Sequence, residues 1–463
     1  MCERFEGNVE SVFCVWRGRR SSLIGCVVAV IVCAMAGLAC GEVVSEILSE
    51  DGCGRATGYA EFNKIISFGG KTHVSWLDSK DGGFVVKVRT LDRETGQWSP
   101  TYSVGEAYDN HGGPSLVRDS EGYLHIVYYP HHHPFRYRRS VRPNDASQWG
   151  SEEQFGKRCT YSSMVCMPDD RLVLACRESS SKQWALNLYE KRSGGKWEGP
   201  RTILHGNAES GYTRWQASLA VGPDGETIHM SFQLYEQKLG DVGYAVGYLR
   251  SPDGGETWEK SDGTAVELPA QPATIDIVDG SAKAGGLPNF RVGNVAVDEK
   301  GMPWIIYARL DRQPYNTWVA HPTGDGGWER RSLLEALWDA GSGQSVKTPG
   351  NVVFDRDGVM YAAVTTVLGT VDAKEAMWGH PSAETVLLVS RDKGRTFDVC
   401  EISRADKTTP SWLCNIERPM RRELGEVTSL IYTRGHRGKT NKDILSNDVV
   451  WCDMQAIAAG EEL

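Results

Sequence analysis

The sequence lacks the surplus of basic residues that general nucleic-acid binding requires. Its 463 residues include 51 Lys and Arg against 60 Asp and Glu, and the formal net charge is -9 at pH 7. A surface without excess cations cannot neutralise many phosphates, so no nucleic-acid partner is expected. Any cationic site on this chain must therefore be local.

The cysteines lack the spacing of a metal knuckle. The chain has 12 cysteines, of which five fall within the first 40 residues, and it contains no CxxC pair. The remaining seven are Cys53, Cys159, Cys166, Cys176, Cys400, Cys414 and Cys452. An odd number at wide spacing indicates neither a zinc knuckle nor a dense disulfide framework, and it leaves room for one or two disulfides.

Long segments with helical periodicity are also scarce. The composition instead includes 51 Gly, 15 Trp and 17 Tyr, while the hydrophobic and charged fractions of 40% and 24% are ordinary for a globular protein. Aromatic residues favour strands and glycines favour the turns between them. This balance predicts an all-β fold.

One apolar run stands apart at the amino terminus. The basic "VWRGRR" (15–20) precedes "SSLIGCVVAVIVCAMAGLAC" (21–40), which carries small residues near its end. This order is typical of an export signal, so we expect a periplasmic, secreted or surface-anchored protein. A single membrane anchor and lipid attachment at Cys40 remain alternatives for residues 1–40, and any membrane contact is expected only through this segment.

A recurring pattern follows, in which an Asp-rich turn and a Gly precede an alternating apolar strand. The seven copies span Phe68–Asp78, Arg118–Tyr129, Met167–Arg177, Gly222–Phe232, Asp298–Ala308, Asp355–Thr365 and Glu423–Thr433. Between them, Gly-containing turns lead to an aromatic residue. Two of these turns, "SPDGGETW" (251–258) and "SRDKGRTF" (390–397), match the Asp-box pattern S-x-D-x-G-x-T-W/F, which is a structural motif.

A period of about 50 residues with about four strands per unit is typical of a β-propeller. We therefore predict a seven-bladed propeller of four-stranded antiparallel blades, formed by residues 41–463 as one domain. The last strand, Asp448–Gln455, is expected to pair with an early strand. Residues 261–287 break the period and are expected to form a long loop.

Two hairpins are predicted to bring polar side chains together. His111 and His131 each lie ten residues from Glu121, the centre of one turn, so their Cβ atoms should be about 5 Å apart across the strands. Tyr161 and Arg177 each lie eight residues from Asp169, the centre of the next turn. A slip of one residue would send these side chains to the other face.

Other histidines have simpler explanations. His125 and His229 lie inside repeated strands and are expected to be structural. Alternation along a strand would send His132 opposite to His131 and His133, so these three are not expected to bind one metal ion. A zinc site of two of them with His111 remains an alternative. The basic run "RYRRS" (136–140) is expected to be a solvated strand.

The stretch from Asp109 to Ser140, followed by "CTYSSM", "LACRES", "HMSFQLYE" and "SPDGGETWEKSDG", resembles the BNR-repeat (Asp-box) propellers that include the ulvan lyases of the polysaccharide lyase class. The resemblance implies a seven-bladed propeller that cleaves an acidic, uronate-containing polysaccharide by β-elimination. It also implies catalytic roles for His111, His131, Tyr161 and Arg177, with His132 as the alternative second histidine.

These residue types suit that chemistry. Elimination removes the C5 proton of a uronate, which becomes acidic only when the adjacent carboxylate is neutralised. Arg177 is expected to neutralise it, and Tyr161 beside a cation is expected to have a lowered pKa and to act as base and acid. His111 or His131 would be the partner acid or base, or a further carboxylate ligand.

Further substrate-binding residues are predicted on the next repeats. They are Tyr212 and Arg214 in "GYTRWQ" and Asn289 and Arg291 in "NFRVGN". No cofactor is needed for the chemistry and no catalytic metal is predicted, although a structural divalent cation remains possible. We expect a monomer whose partner is the acidic polysaccharide.

Two other functions stay open at this stage. A sialidase-type glycoside hydrolase is suggested by the Asp boxes and by "NFRVGN", although the sequence shows no early arginine motif of that kind. A propeller without catalysis that binds glycans through the same basic and aromatic end is the other alternative.

Overall fold

The sequence repeats fold as antiparallel strands. The computed structural model describes residues 43–207, 211–239, 243–281, 289–341, 343–345, 349–369, 371, 379–403, 408–421, 423–455 and 457. These belong to a compact unit that runs from Leu38 to Leu463. The predicted export segment lies outside the described residues. Within them, no helix has the length and apolar character needed to cross a membrane.

The first fourteen strands form two large sheets. They are β1 (Ser45–Gly52), β2 (Ile65–Phe68), β3 (Lys71–Lys80), β4 (Gly83–Asp92), β5 (Gln97–Trp98), β6 (Tyr102–Ala107), β7 (Ser115–Arg118), β8 (Leu124–Tyr128), β9 (His133–Arg142), β10 (Asp145–Trp149), β11 (Glu153–Cys166), β12 (Leu172–Glu178), β13 (Ala185–Lys191) and β14 (Trp197–His205). One sheet has the order β14-β13-β12-β11-β9-β8-β7, and β10 pairs with β9.

The remaining strands form smaller sheets and complete the first one. They are β15 (Ala217–Val221), β16 (Ile228–Tyr235), β17 (Gly243–Ser251), β18 (Asp276–Gly280), β19 (Phe290–Val297), β20 (Pro303–Arg309), β21 (Asn316–Pro322), β22 (Trp328–Ser332), β23 (Gln344–Ser345), β24 (Asn351–Phe354), β25 (Met360–Val367), β26 (Glu384–Ser390), β27 (Asp398–Glu401), β28 (Ser411–Ile416), β29 (Ser429–Arg434) and β30 (Asn447–Asp453). Two short helices, Gln237–Leu239 and Leu334–Asp339, accompany them.

Several sheets contain four antiparallel strands, which confirms the all-β prediction. Strands β15 to β18 form one sheet in chain order, and β19 to β22 form another. Each sequence repeat contains one strand that has an antiparallel neighbour on both sides. These strands are β3, β8, β12, β16, β20, β25 and β29.

The two ends of the described chain meet, as predicted. Strand β30 pairs antiparallel with β1, with Ile47 opposite Val450. One prediction is wrong, because residues 261–287 are not simply a loop. Strand β18 lies within this segment and pairs with β17 through Val246 and Asp279, since the burial of Val278 and Ile275 against the core stabilises an additional strand.

The Asp boxes are turn motifs, as their sequence predicts. The carboxylate of Asp253 accepts hydrogen bonds from Ser251 Oγ at 2.8 Å and from Thr257 Oγ1 at 2.6 Å, while Trp258 is buried in the core. Asp392 makes the equivalent contacts with Ser390 and Thr396. The seven cysteines that follow residue 40 are buried free thiols, so the disulfides that their number allowed do not form here.

The two repeated-strand histidines are structural. His125 Nδ1 lies 2.7 Å from the hydroxyl of Tyr137, and His229 Nδ1 lies 2.7 Å from that of Tyr248. Burial lowers the pKa of both histidines. The basic run of β9 is also engaged locally, since Arg138 donates to the carbonyl of Gly150 at 2.8 Å.

Three buried asparagines connect neighbouring sheets. They are Asn63, Asn294 and Asn351. A fourth, Asn415 on β28, holds the segment before β2 within one sheet. The side chain of Asn294, on β19, donates to the carbonyl of Val352 at 2.8 Å and accepts from its N–H at 2.7 Å, which joins two sheets that share no strand pair. Because buried backbone groups must be paired, each bridge fixes the spacing of adjacent sheets.

Replacing Asn294 tests this bridge. Asn294→Ala would leave the N–H and C=O of Val352 unpaired in the interior, and we expect it to lower the free energy of unfolding by about 2–4 kcal/mol. Urea unfolding of this variant and of Gln97→Ala, an exposed residue on β5, measures the difference. The control should change stability by less than about 0.5 kcal/mol. Equal stability of the two variants would contradict the role of the bridge.

Candidate active site

A cavity of about 540 Å³ opens where the first strands of several sheets begin. Its walls come mainly from segments that precede or start β2, β7, β15, β19 and β24. The polar lining includes Arg55, Tyr59, Glu61, His111, His131, Tyr161, Tyr212, Arg214, Gln216, Tyr235, Asn289, Arg291 and Asn441. Seven of the nine predicted site residues are among them, and Arg177 and His132 are not.

The two predicted histidines meet at the cavity wall. Ser115 pairs with Val127, which places the centre of the hairpin at Glu121 as predicted. The rings of His111 and His131 are stacked, with centroids 3.8 Å apart and an interplanar angle of 23°. Both residues lie beyond the ends of the strands, so the stack depends on the loop that follows β6 and on the chain after β8.

The register predicted for Tyr161 and Arg177 is wrong by one residue. Arg177 lies opposite Thr160, and Ser162 lies opposite Cys176, so Tyr161 is the extra residue of a β-bulge. Tyr161 has a φ of 62°, a backbone conformation that residues other than glycine rarely adopt. The bulge turns its side chain toward the cavity while the rest of β11 stays paired.

Positive φ values recur at this site and beside it, as they also do in turns elsewhere. Besides Tyr161, positive φ values occur at Tyr129 (96°), His132 (61°) and Leu413 (55°), and Leu413 also lines the cavity. Conformations of this kind cost free energy and persist only where the surrounding structure enforces them, which is common at functional sites.

Arg177 lies beneath the cavity. Its side chain is fully buried, and its guanidinium carbon lies 4.6, 4.9 and 5.0 Å from the ring centroids of Tyr161, Trp184 and Tyr212. Its Nη1 donates to the hydroxyl of Tyr212 at 3.0 Å. Nη1 also donates to the carbonyl of Thr213 at 3.1 Å. Within the described residues Nε and Nη2 have no hydrogen-bond partner, so the aromatic rings and these two Nη1 bonds stabilise the charge.

The pKa of Tyr161 is raised and not lowered as predicted, whereas that of Tyr212 is lowered. Burial and the neighbouring Tyr212 raise the pKa of Tyr161. Burial also acts to raise the pKa of Tyr212, but the charges of Arg177 and Arg214 and hydrogen bonds from Arg177 and Tyr161 outweigh it and lower that pKa to about 8. The readily ionised phenol of this pair is therefore Tyr212.

Asp109 is a site residue that the sequence analysis missed. Its Oδ1 lies 3.1 Å from Nδ1 of His111, and its Oδ2 lies 2.7 Å from Nδ1 of His131. The two histidines hold the pKa of this buried carboxyl well below its usual range. Since an ionised carboxylate only accepts hydrogen bonds, both histidines carry their proton on Nδ1.

Arg55 is the second missed residue, and it distinguishes the two histidines. Its guanidinium contacts Nε2 of His111 and the hydroxyl of Tyr59. Burial and the charge of Arg55 lower the pKa of His111 well below its ordinary value, so His111 stays neutral with both nitrogens engaged. The Nε2 of His131 is then the histidine nitrogen suited to exchange a proton with a ligand.

The cavity concentrates positive charge. Arg55, Arg214 and Arg291 line it together, whereas Asp109 is already satisfied by the two histidines. Burial and the neighbouring Arg214 lower the pKa of Arg291, although an arginine in this position remains protonated at neutral pH. This arrangement suits a ligand that carries a carboxylate or a sulfate.

His132 does not occupy the position that strand alternation predicts. Its positive φ breaks the extended backbone, and its ring lies 4.9 Å from that of His131 and 5.4 Å from that of Trp184. Nδ1 of His132 lies 2.9 Å from Ser179 Oγ. The residue therefore borders the site and contacts Trp184.

A metal ion fits this site poorly. Asp109, His111 and His131 offer ligand atoms within 4.8 Å of one another. However, the carboxylate bridges the two Nδ1–H groups, and the cationic Arg55 contacts the other nitrogen of His111. A divalent cation would have to displace these contacts and lie beside a guanidinium, so the donor set suits proton transfer better than metal binding.

Comparison with known proteins identifies the family. Residues 71–336 match the family described as BNR repeat-containing family member, and the chain belongs to this family. It is 23% identical over 309 residues to an ulvan lyase of Alteromonas sp. (strain LOR), and this match covers 58% of this chain and 62% of that protein. It is also 23% identical over 306 residues to Ulvan Lyase-PL25 of Pseudoalteromonas sp. (strain PLSV), covering 57% and 61%. The chain thus matches about three fifths of the length of these relatives.

Solved structures show the same fold at lower identity. A PL25 ulvan lyase bound to -[GlcA(1-4)Rha3S]- superposes with a TM-score of 0.64 at 16% identity, covering 88% of this chain and 95% of that one. The polysaccharide lyase Uly1 superposes with a TM-score of 0.57 at 13% identity, covering 89% and 98%. These similarities establish the fold.

The tautomers at the histidine stack can be tested directly. Nitrogen-15 NMR of histidine-labelled protein should show His111 and His131 protonated on Nδ1. The His111 signals should stay unchanged from pH 7 to about pH 5, because its pKa lies well below 6.5. Asp109→Asn should shift both residues toward other tautomers, whereas Asp119→Asn, which contacts His125, should leave them unchanged. Protonation of His111 on Nε2 in the unmodified protein would contradict the assignment.

Proposed function

We propose that this protein is a lyase that cleaves an acidic, uronate-containing polysaccharide by β-elimination. The observation that carries the proposal is the convergence on one cavity of three guanidinium groups, a tyrosine of lowered pKa and a carboxylate-held histidine pair. The similarity to ulvan lyases supports it, and ulvan is the first substrate to examine.

Arg214 and Arg291 are proposed to bind the uronate carboxylate. Both line the cavity, whereas the guanidinium of Arg177 lies under the rings of Tyr161 and Tyr212. Neutralising the carboxylate stabilises the negative charge that develops when C5 loses its proton. The role first predicted for Arg177 thus changes, and Arg177 instead keeps the Tyr212 phenol acidic.

Tyr212 and His131 are proposed to move the protons. The Tyr212 phenolate takes the C5 proton, a double bond forms between C4 and C5, and the C4–O4 bond breaks. The Tyr161 hydroxyl, or His131 when both of its ring nitrogens carry a proton, donates a proton to the departing O4, which leaves as a hydroxyl group on one product. Tyr161 is hydrogen-bonded to Tyr212 and can return the proton between turnovers.

The remaining features of the proposal follow from the sheets and the leader. We infer a seven-bladed ring, since β2-β3-β4-β6, β7 to β10, β11 to β14, β15 to β18, β19 to β22, β24 to β27 and β28-β29-β30-β1 each supply four strands.

The polymer substrate is too large to enter a cell, which favours export of this monomer through the signal predicted in residues 1–40. A structural divalent cation remains compatible with this function.

A sialidase-type hydrolase is the second candidate. The cavity brings Arg55, from an early segment, together with Arg214 and Arg291, which supplies the arginine cluster that the sequence did not show. Hydrolysis adds water across the glycosidic bond and produces new reducing ends without a double bond. Ultraviolet absorbance of the double bond therefore distinguishes the two reactions.

The test uses the purified protein with ulvan and other uronate polysaccharides. A lyase produces an unsaturated uronate, so ultraviolet absorbance should rise with at least one substrate. New reducing ends without that absorbance would support the hydrolase. Retention on an immobilised glycan without either signal would support a binding protein and contradict the proposal.

Tyr212→Phe tests the proposed base. We expect a loss of lyase activity of about a hundredfold or more, because the phenol supplies the acceptor for the C5 proton. In the unmodified protein, kcat/KM should rise with pH and level off above about pH 8, since the base must be ionised. Tyr102→Phe, a half-buried tyrosine on β6, is the control. Full activity of Tyr212→Phe would exclude the assignment.

A further inference from the structure

A cationic and aromatic cluster borders the cavity. It consists of Tyr108, His133 and Lys442 and is called the rim cluster below. Tyr108 directly precedes Asp109, and Lys442 directly follows Asn441, which lines the cavity. The rim cluster therefore lies next to the wall that carries the histidine stack, on residues that the proposed reaction does not use.

The three side chains form a stack at the protein surface. The ring of His133 lies 4.1 Å from that of Tyr108, and Nζ of Lys442 lies 3.6 Å from the centroid of the Tyr108 ring. Tyr108 is 37% exposed, which is unusual for a large aromatic side chain, and Lys442 is exposed. A cation held over an aromatic face keeps its remaining donors available to an anion.

The loop that carries Lys442 is fixed by its own hydrogen bonds. The carboxylate of Asp443 accepts from the N–H of Thr440 at 2.9 Å and contacts its hydroxyl. The N–H of Asn110 donates to the carbonyl of Asn441 at 3.1 Å, which ties the loop to the segment that carries His111. Because the loop is ordered before a ligand arrives, binding at Lys442 costs little additional conformational entropy.

Lys442 forms no ion pair with the described residues of the protein. In the described part of the chain, no carboxylate lies within ion-pair distance of its Nζ, which instead contacts the carbonyl and the ring of Tyr108. The nearby Arg136 differs, because it lies over Tyr129 and approaches Glu152 at 3.5 Å. Lys442 is thus the cation of this rim that can pair with a ligand.

We propose that the rim cluster binds an anionic group, a sulfate ester or a uronate carboxylate, on the sugar next to the one held in the cavity. This inference rests on the proposed function, because it assumes a polymer that extends beyond the cavity. Lys442 supplies the charge, and Tyr108 and His133 hold it in position. The cluster acts on affinity for the polymer and takes no part in proton transfer.

Lys442→Gln tests the subsite, with Lys439→Gln as a matched control in the same loop. We expect Lys442→Gln to raise KM for an anionic polysaccharide about two- to fivefold, the usual upper range for one exposed charge pair, with kcat unchanged. Affinity electrophoresis in gels containing ulvan should show weaker retention by a similar factor. Lys442→Arg should restore most of the binding, and Lys439→Gln should match the unmodified protein.

Desulfated ulvan identifies the bound group. If a sulfate is bound, Lys442→Gln and the unmodified protein will have the same affinity for the desulfated polymer; if a carboxylate is bound, the difference will persist. Equal KM and equal retention of Lys442→Gln and Lys439→Gln on ulvan would overturn the inference. Absence of lyase activity in the unmodified protein would instead refute the proposed function, and the electrophoresis would still decide whether Lys442 binds the polymer.

Discussion

The side-chain bridges of the buried asparagines determine where the cavity walls meet. Asn415 donates to the carbonyls of Tyr59 and Phe62 at 2.9 and 3.0 Å, and Asn351 donates to that of Ala60. The first segment of the chain is thus held by the last sheets, nearly 300 or more residues away. Asn351 also accepts from the N–H of Ile416 at 3.1 Å, which joins two sheets that share no strand. Without such amide bonds, neighbouring sheets would lose fixed spacing, and the loops before each strand would not converge on one volume.

The low pKa of Tyr212 depends in part on Arg177, a buried cation that does not line the cavity. Within the described residues, Arg177 is buried among three aromatic rings, forms no ion pair and donates to the Tyr212 hydroxyl and the Thr213 carbonyl. Burying such a charge is costly, and a carboxylate partner would reduce the cost. A partner would also weaken the field that favours the Tyr212 phenolate, so the unpaired charge of Arg177, together with Arg214, keeps the pKa of the neighbouring phenol low.

Local features could be predicted from the sequence, whereas features set by packing could not. The turn centres near Glu121 and Asp169 follow from the residue spacing within each hairpin. The proximity of His111 and His131 could therefore be predicted. The bulge at Tyr161 has no sequence marker, because glycine or asparagine would normally signal its positive φ. Arg55 joins the site only through contacts between distant segments, and the pKa values of the tyrosines depend on burial that the sequence does not specify.

The two walls of the cavity have complementary electrostatic roles. On one side, the Asp109 carboxylate fixes both histidines as Nδ1–H tautomers, and Arg55 prevents His111 from gaining a proton. On the other side, arginines lower the pKa of a phenol. An anionic ligand entering between them would partly cancel the field at Tyr212 and raise its pKa. Ligand charge would thereby make the Tyr212 phenolate a stronger base but lower its ionised fraction at a given pH, so kcat of the proposed reaction should reach its plateau at a higher pH than kcat/KM.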